Sequence, residues 1–225
     1  SWESKDMNNI LASIYDELVV SEKHIPPTKA MTMPEIAKQH PTEAAEDTVW
    51  LALPDGHQQL PTLRLLNKAG IQIDDYPSAE ENRRPTTNLD GVTIKVIRPQ
   101  DMPLQVAKGN FDLAITGRDW LREHLYQFPS SPVKELLDLK FGRVKIVAVV
   151  SQDLPVNDVY SLRKQGVDQF VPFRVASEYV NVADKYARDN HLGLYRVIPT
   201  WGASEAFLPE DADLLIENTQ TGRTL

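Results

Sequence analysis

The sequence predicts an α/β protein with largely parallel sheets, and three observations carry that expectation. From residue 48 onward, short apolar runs of strand length alternate with amphipathic stretches of helix length. The runs are rich in Val, Ile and Leu, and the stretches between them are bounded by Pro, Asp or Gly. At 225 residues with 41% hydrophobic content, the chain can bury one large core or two smaller ones.

The first 47 residues differ in character. Asp6 is placed to cap a helix whose apolar residues Met7, Ile10, Leu11, Ile14 and Leu18 share one face. Pro26, Pro27, Pro34 and Pro41 then interrupt any long element, so 1–47 reads as a helix plus a Pro-rich linker. Residues 49–53 predict a strand, followed by a loop with Asp55, Gly56 and His57 and a helix opened by Pro61 and closed by Gly70. A charged connection, 74–90, leads to a strand over 92–97 with Thr93 and Lys95 on one face and Arg98 at its exit. Asp101 is expected to cap a helix over 102–108 that Gly109 ends.

Residues 111–115 predict a strand that runs into Thr116, Gly117, Arg118 and Asp119, with a helix from about Trp120. The unbroken apolar run 144–150 predicts a strand buried on both faces. Strands over 173–176, 195–198 and 214–216 and a helix over 182–190 complete the pattern, and 217–225 reads as a loop. Open sheets of this kind place ligands at the carboxyl ends of their strands, where all these loops lie.

Composition excludes several function classes. Zero cysteines exclude disulfides, thiolate metal sites and cysteine nucleophiles, and they fit a cytoplasmic protein. No run approaches the roughly 18 apolar residues of a membrane helix, and no basic-then-apolar export signal opens the chain. A net charge of -8 argues against a general nucleic-acid partner. A phosphorylated ligand must therefore be met by local groups. His24, His40, His57, His124 and His191 show no paired metal spacing.

The loop 217–225 has the parts a phosphate needs: short hydroxyl donors at Thr221 and Thr224 and a residue without Cβ at Gly222. Glu217 precedes it at a strand end, where a carboxylate can accept from sugar hydroxyls. An ordinary polar turn uses the same residue types.

Five ordered segments, 98–103, 111–119, 135–143, 176–179 and 221–225, together resemble the catalytic region of ATP phosphoribosyltransferase, the first enzyme of histidine biosynthesis. The resemblance runs from about residue 48 to the end. It implies a two-domain, periplasmic-binding-protein-like (type II) architecture with a mostly parallel sheet in each domain and a cleft between them. The implied boundaries are 1–47 for the extension, 48–142 for the first domain and 143–225 for the second, with a further segment expected after Leu225. It also implies condensation of ATP with 5-phosphoribosyl 1-pyrophosphate, assisted by Mg2+, to N1-(5-phosphoribosyl)-ATP and pyrophosphate.

Carried over by motif, Glu217, Thr219, Gln220, Thr221, Gly222, Arg223 and Thr224 hold the phosphoribosyl group. Arg98, Thr116, Gly117, Arg118, Asp119 and Glu205 line the ATP and pyrophosphate side, and Glu178 and Tyr179 either orient substrate or cap the helix that follows. No covalent nucleophile is implied. Family members assemble as dimers or hexamers, some with a regulatory subunit.

One departure stands out. Where the family typically has Lys-Gly-Arg after its first strand, this chain has Asp55, Gly56 and His57. Asp55 is expected to repel nucleotide phosphates unless Arg64, Lys68, Arg83 or Arg84 compensates, and Asp55→Lys with His57→Arg is expected to tighten ATP binding if the loop meets the nucleotide. The alternative reading is a non-catalytic relative, phosphoribosyl- or nucleotide-binding or regulatory, that lost nucleotide handling at Asp55 and His57.

Overall fold

A computed structural model describes residues 48–80, 82–167 and 171–219. The expectation for a helix near residues 7–18 and the calls on Gln220, Thr221, Gly222, Arg223 and Thr224 lie outside the described residues.

The first sheet has three parallel strands, β1 (Val49–Pro54), β4 (Val92–Ile97) and β5 (Leu113–Ala114), with β1 in the centre. Period-two alternation divides its side chains between two faces. Leu53, Ile94 and Val96 pack with Leu66 of helix α1 (Gln59–Lys68) and with Ile73 and Tyr76. Ala52, on the other face, packs with Met102 of helix α2 (Met102–Ala107) and Phe111. The Lys95 ammonium lies 4.8 Å over the Trp50 ring, so the polar residue of β4 covers an aromatic instead of facing bulk water. The charged connection before β4 contains a short antiparallel ribbon, β2 (Ile73–Asp74) with β3 (Thr86–Thr87).

The second sheet has four strands in the order β6 (Lys145–Val149), β9 (Leu214–Thr219), β7 (Phe173–Ser177), β8 (Tyr195–Pro199). Strand β7 is parallel to both neighbours, whereas β6 runs antiparallel to β9. Val175, Leu214 and Ile216 meet Leu162 of helix α4 (Val159–Val167) and Ala183 and Ala187 of helix α5 (Val180–Asp189). Ala176 and Leu215 pack on the opposite face with Ala212. Helix α3 (Arg118–Gln127) follows β5, and both sheets belong to one compact unit.

Four local expectations are corrected. The run 144–150 is not buried on both faces: β6 is an edge strand with Lys145, Ile146 and Ala148 exposed. Continuous apolar sequence signals a covered strand, but the place of a strand in the sheet is set by its partners. The strand predicted over 111–115 shortens to Leu113–Ala114. Residues 217–219 are strand instead of loop, because Glu217, Asn218 and Thr219 pair with Val147, Ile146 and Lys145 through backbone groups that polar side chains do not disturb. Asp101 precedes α2 but makes no cap; its φ of -80° and ψ of -24° are already helical, and its carboxylate accepts instead from Arg98 Nε at 3.3 Å.

Candidate active site

Strand β1 ends at Pro54, and the chain turns through Asp55 into a 3-10 turn, Gly56–Gln58. Asp55 Oδ1 accepts the Gly56 N–H at 2.7 Å, and its Oδ2 forms an ion pair with Arg83. That hydrogen-bonded guanidinium, aided by the Arg98 charge, holds the Asp55 carboxyl below its usual range. His57 and Arg84 are exposed, and Arg84 gives its amide N–H to Asn82 Oδ1 at 2.9 Å. Of the four cations expected to offset Asp55, Arg83 is the one in direct contact.

The turn after β5 is tightly specified. Thr116 Oγ1 donates to Pro99 O at 2.8 Å, joining this turn to the one that carries Arg98. Gly117 is needed for space: a Cβ there would lie 2.0 Å from Asp119 Oδ1. Arg118 is gripped by two Glu135 oxygens, 2.9 and 2.5 Å away, and by Asp138 at 3.3 Å. A ligand phosphate must compete with both carboxylates for it.

Asp119 faces the second sheet. Tyr179, fully buried at the exit of β7, donates its phenol O–H to Asp119 Oδ2 at 2.6 Å and accepts from Asn218 Nδ2 at 2.8 Å. Its ring stacks on Trp120 at 4.2 Å. Burial first, then the Asp119 charge, push the Tyr179 phenol far above its ordinary pKa, so it stays a donor.

Tyr179 occupies the N-cap position of α5 without capping it. Nor is Glu178 the cap. Glu123 of α3 accepts from Asn181 N and Val182 N, each at 2.8 Å, which puts a carboxylate at the positive end of the helix. Helix capping is thereby supplied from 58 residues away, and the alternative of local capping by Glu178 or Tyr179 gives way to it.

Glu217 and Thr219 lie at the carboxyl end of β9, both half-buried. The Glu217 carboxylate accepts from Asn218 N at 2.8 Å. Burial raises its pKa, with smaller contributions in the same direction from Glu178 and Glu205, while the Asn218 and Ser204 bonds oppose the shift. Glu205 sits in the 3-10 turn Ser204–Phe207, reached through Gly202 at φ 93° and Ala203 at φ 48°. Buried Ser204 shares a 2.8 Å bond with Thr200.

The structure thus brings Asp119, Tyr179 and Asn218 into one hydrogen-bonded chain, groups Glu178, Glu205 and Glu217, and joins Asp55 to Arg83. Sequence reasoning missed Asn218, Trp120 and Glu123 as working parts. Asn218 stands between two residues that were singled out, but Glu123 carries no local signal, since its partners are brought to it only by the packing of α3 on α5.

A sequence model of the family described as ATP phosphoribosyltransferase matches residues 98–225, more than half of the chain. The chain belongs to the ATP phosphoribosyltransferase family. It is 36% identical over 186 residues to an ATP phosphoribosyltransferase of Saccharolobus solfataricus, an alignment covering 78% of this chain and 56% of that one. It is 33% identical over 180 residues to the ATP phosphoribosyltransferase of Albidiferax ferrireducens, covering 79% and 78% respectively. The chain spans little more than half the length of most of the curated relatives it matches. An ATP phosphoribosyl transferase (HisG:HisZ) complex from Thermotoga maritima contains a chain of the same fold, with a TM-score of 0.59 and 21% identity over 79% of this chain and 77% of that one. This family membership agrees with the resemblance carried by the five ordered motifs.

Proposed function

We propose that this protein is an ATP phosphoribosyltransferase, a pentosyltransferase that condenses ATP with 5-phosphoribosyl 1-pyrophosphate and releases pyrophosphate, opening histidine biosynthesis. The observation that carries this reading is the convergence of Asp119, Tyr179 and Asn218, which links the turn after β5 to the strand that delivers Glu217 and Thr219 to the phosphoribosyl loop.

In this reading the two sheets are the cores of two closely apposed domains of periplasmic-binding-protein-like (type II) architecture. The first spans 48–142 and the second 143–225, with 1–47 as an extension and the ligands between the strand ends. N1 of the adenine bonds to C1 of the ribose as the bond from C1 to pyrophosphate breaks. The chain positions reactants and stabilises the departing charge. Glu217 accepts from ribose hydroxyls, Thr219 and the loop 220–224 hold the 5-phosphate, and Arg98 meets phosphate on the opposite side, beside Thr116 and Gly117. Glu178 and Glu205 flank Glu217. Tyr179 acts through Asp119 and Asn218, holding both in place.

Magnesium fits as an ion carried in on the pyrophosphate. Among the described residues no group of three His, Cys, Asp or Glu side chains is placed to hold a metal, and phosphate oxygens commonly supply most of the ligands this ion needs. Bound there, it neutralises charge on the leaving group. The partners in this reading are ATP, phosphoribosyl pyrophosphate, further copies of the chain as a dimer or hexamer, and a regulatory subunit. The location in this reading is cytoplasmic; no described helix is long and apolar enough to cross a membrane. The Asp55–Arg83 contact keeps a cation at the loop, and this favours the catalytic reading over a relative that lost nucleotide handling.

The test is an assay of the full chain with ATP, phosphoribosyl pyrophosphate and magnesium, following adduct absorbance and pyrophosphate. Both signals are expected to rise together. Binding of both substrates without turnover would overturn the reading.

A further inference from the structure

Asp55 stands at the carboxyl end of the central strand β1, beside the end of β4, where an anion bound to an open parallel sheet approaches. An isolated acid there repels phosphate. Its surroundings change that. Asp55 N donates to Ile97 O at 2.9 Å, and Asp55 Oδ1 accepts from Gly56 N at 2.7 Å, so the residue is held by its backbone and one carboxylate oxygen. The other oxygen holds Arg83.

Arg83 is anchored from its other end as well. Its carbonyl accepts the Val96 N–H at 2.9 Å on the edge of β4 away from β1. The turn around it is tied by Asn82, which accepts from Arg84 N at 2.9 Å and donates to Asp75 at 2.7 Å. The guanidinium therefore reaches from the outer edge of β4 to the end of β1, and Arg98 leaves the end of β4. The Arg83 and Arg98 side chains are 52% and 64% exposed, so both face solvent. An exposed ion pair contributes little to stability, so anchoring at both ends is better accounted for by orientation of the guanidinium.

We propose that Asp55 is a positioning residue that aims Arg83 beside Arg98, so that two guanidiniums form a polyphosphate-binding pair at the carboxyl ends of β1 and β4. The identity of the polyphosphate, the triphosphate of ATP or the pyrophosphate of the ribosyl donor, rests on the function proposed above; its chemical class does not. Planar, forked guanidiniums suit this task, and holding one in advance reduces the ordering cost of binding.

The test exploits an opposition of sign. Asp55→Asn removes a negative charge, so electrostatics alone makes a polyanion bind more tightly, whereas loss of aim makes it bind about tenfold more weakly. Calorimetry on the full chain with tripolyphosphate, ATP, AMP and phosphoribosyl pyrophosphate separates the two. Arg83→Ala is expected to weaken binding similarly, the double variant no more than Arg83→Ala alone, and Asp55→Glu to restore part of the loss. Asp55→Lys with His57→Arg, expected from sequence to tighten ATP binding, should weaken it. A loss for ATP but not for phosphoribosyl pyrophosphate assigns the pair to the nucleotide, and the reverse assigns it to the donor; in steady state the KM of that substrate rises. Unchanged or tighter binding by Asp55→Asn, additive losses in the double variant, or no polyphosphate binding by the unmodified chain overturns the proposal. Asp55-dependent binding without adduct formation leaves it standing and removes the proposed function; adduct formation with Asp55-independent binding does the opposite.

Discussion

Replacing Tyr179 with Phe removes one oxygen atom from the contact between the two sheets and leaves the ring to stack on Trp120. Two hydrogen bonds go with it, a 2.6 Å bond to the Asp119 carboxylate and a 2.8 Å bond from the Asn218 amide. A bond to a charged group contributes about 1.5–3 kcal/mol and a neutral one about 1 kcal/mol. Asp119 and Asn218 are half-buried, so water recovers part of this and the net expected loss is about 2–3 kcal/mol. For a chain of this size that lowers the melting midpoint by roughly 5–10 °C. Urea denaturation followed by circular dichroism should show a lower midpoint with an unchanged slope. In a double-mutant cycle with Asp119→Asn, a coupling of about 1.5 kcal/mol is expected. A loss below about 0.5 kcal/mol, or simple additivity with Asp119→Asn, would refute the argument that this chain of bonds ties the turn after β5 to β7 and β9.

Gly117→Ala places a Cβ 2.0 Å from Asp119 Oδ1 and is expected to swing that carboxylate off Tyr179, raising substrate KM, whereas Gly109→Ala, strained at φ 74° but facing open space, should cost about 1 kcal/mol of stability and leave KM alone; equal KM values would sink this account. Burial raises the Glu217 pKa, so folding disfavours its ionised form: the penalty is fully present above the raised value, and stability is regained as pH falls from there toward the ordinary value of 4.5. Glu217→Gln is therefore expected to raise the melting midpoint at pH 7, flatten its pH dependence across that window and weaken phosphoribosyl pyrophosphate binding; a lower midpoint would contradict it. Thr221→Ala with Thr224→Ala is expected to weaken phosphoribosyl pyrophosphate at least about tenfold by calorimetry with the circular dichroism spectrum unchanged, and unchanged affinity would remove these residues from the phosphate cradle.

Much of the fold was legible because its signals are local. The alternation that put Leu53, Ile94 and Val96 on one face of the first sheet is written in consecutive residues, as are the glycines at 70 and 109 that end helices at positive φ. The edge position of β6 was not legible, because a run such as 144–150 carries its hydrophobicity but not the identity of its neighbours. For the site, Glu217, Arg98 and the turn 116–119 stood out by residue type and place after strands. Their hydrogen-bond partners did not.

The sequence by itself determined the alternating α/β plan, the strand-end placement of the candidate residues and the family to which the chain belongs, since periodicity, punctuation and ordered motifs need no knowledge of distant contacts. Only the tertiary structure decided that Asp55 is paired with Arg83, that Glu123 caps a helix 58 residues away, and that Tyr179 is a buried bridge between Asp119 and Asn218. The meaning of a charge or a hydroxyl is set by the group it faces. Those partners lie 28 to 60 residues away in the chain, brought together by the packing of helices and sheets, and no local pattern encodes them.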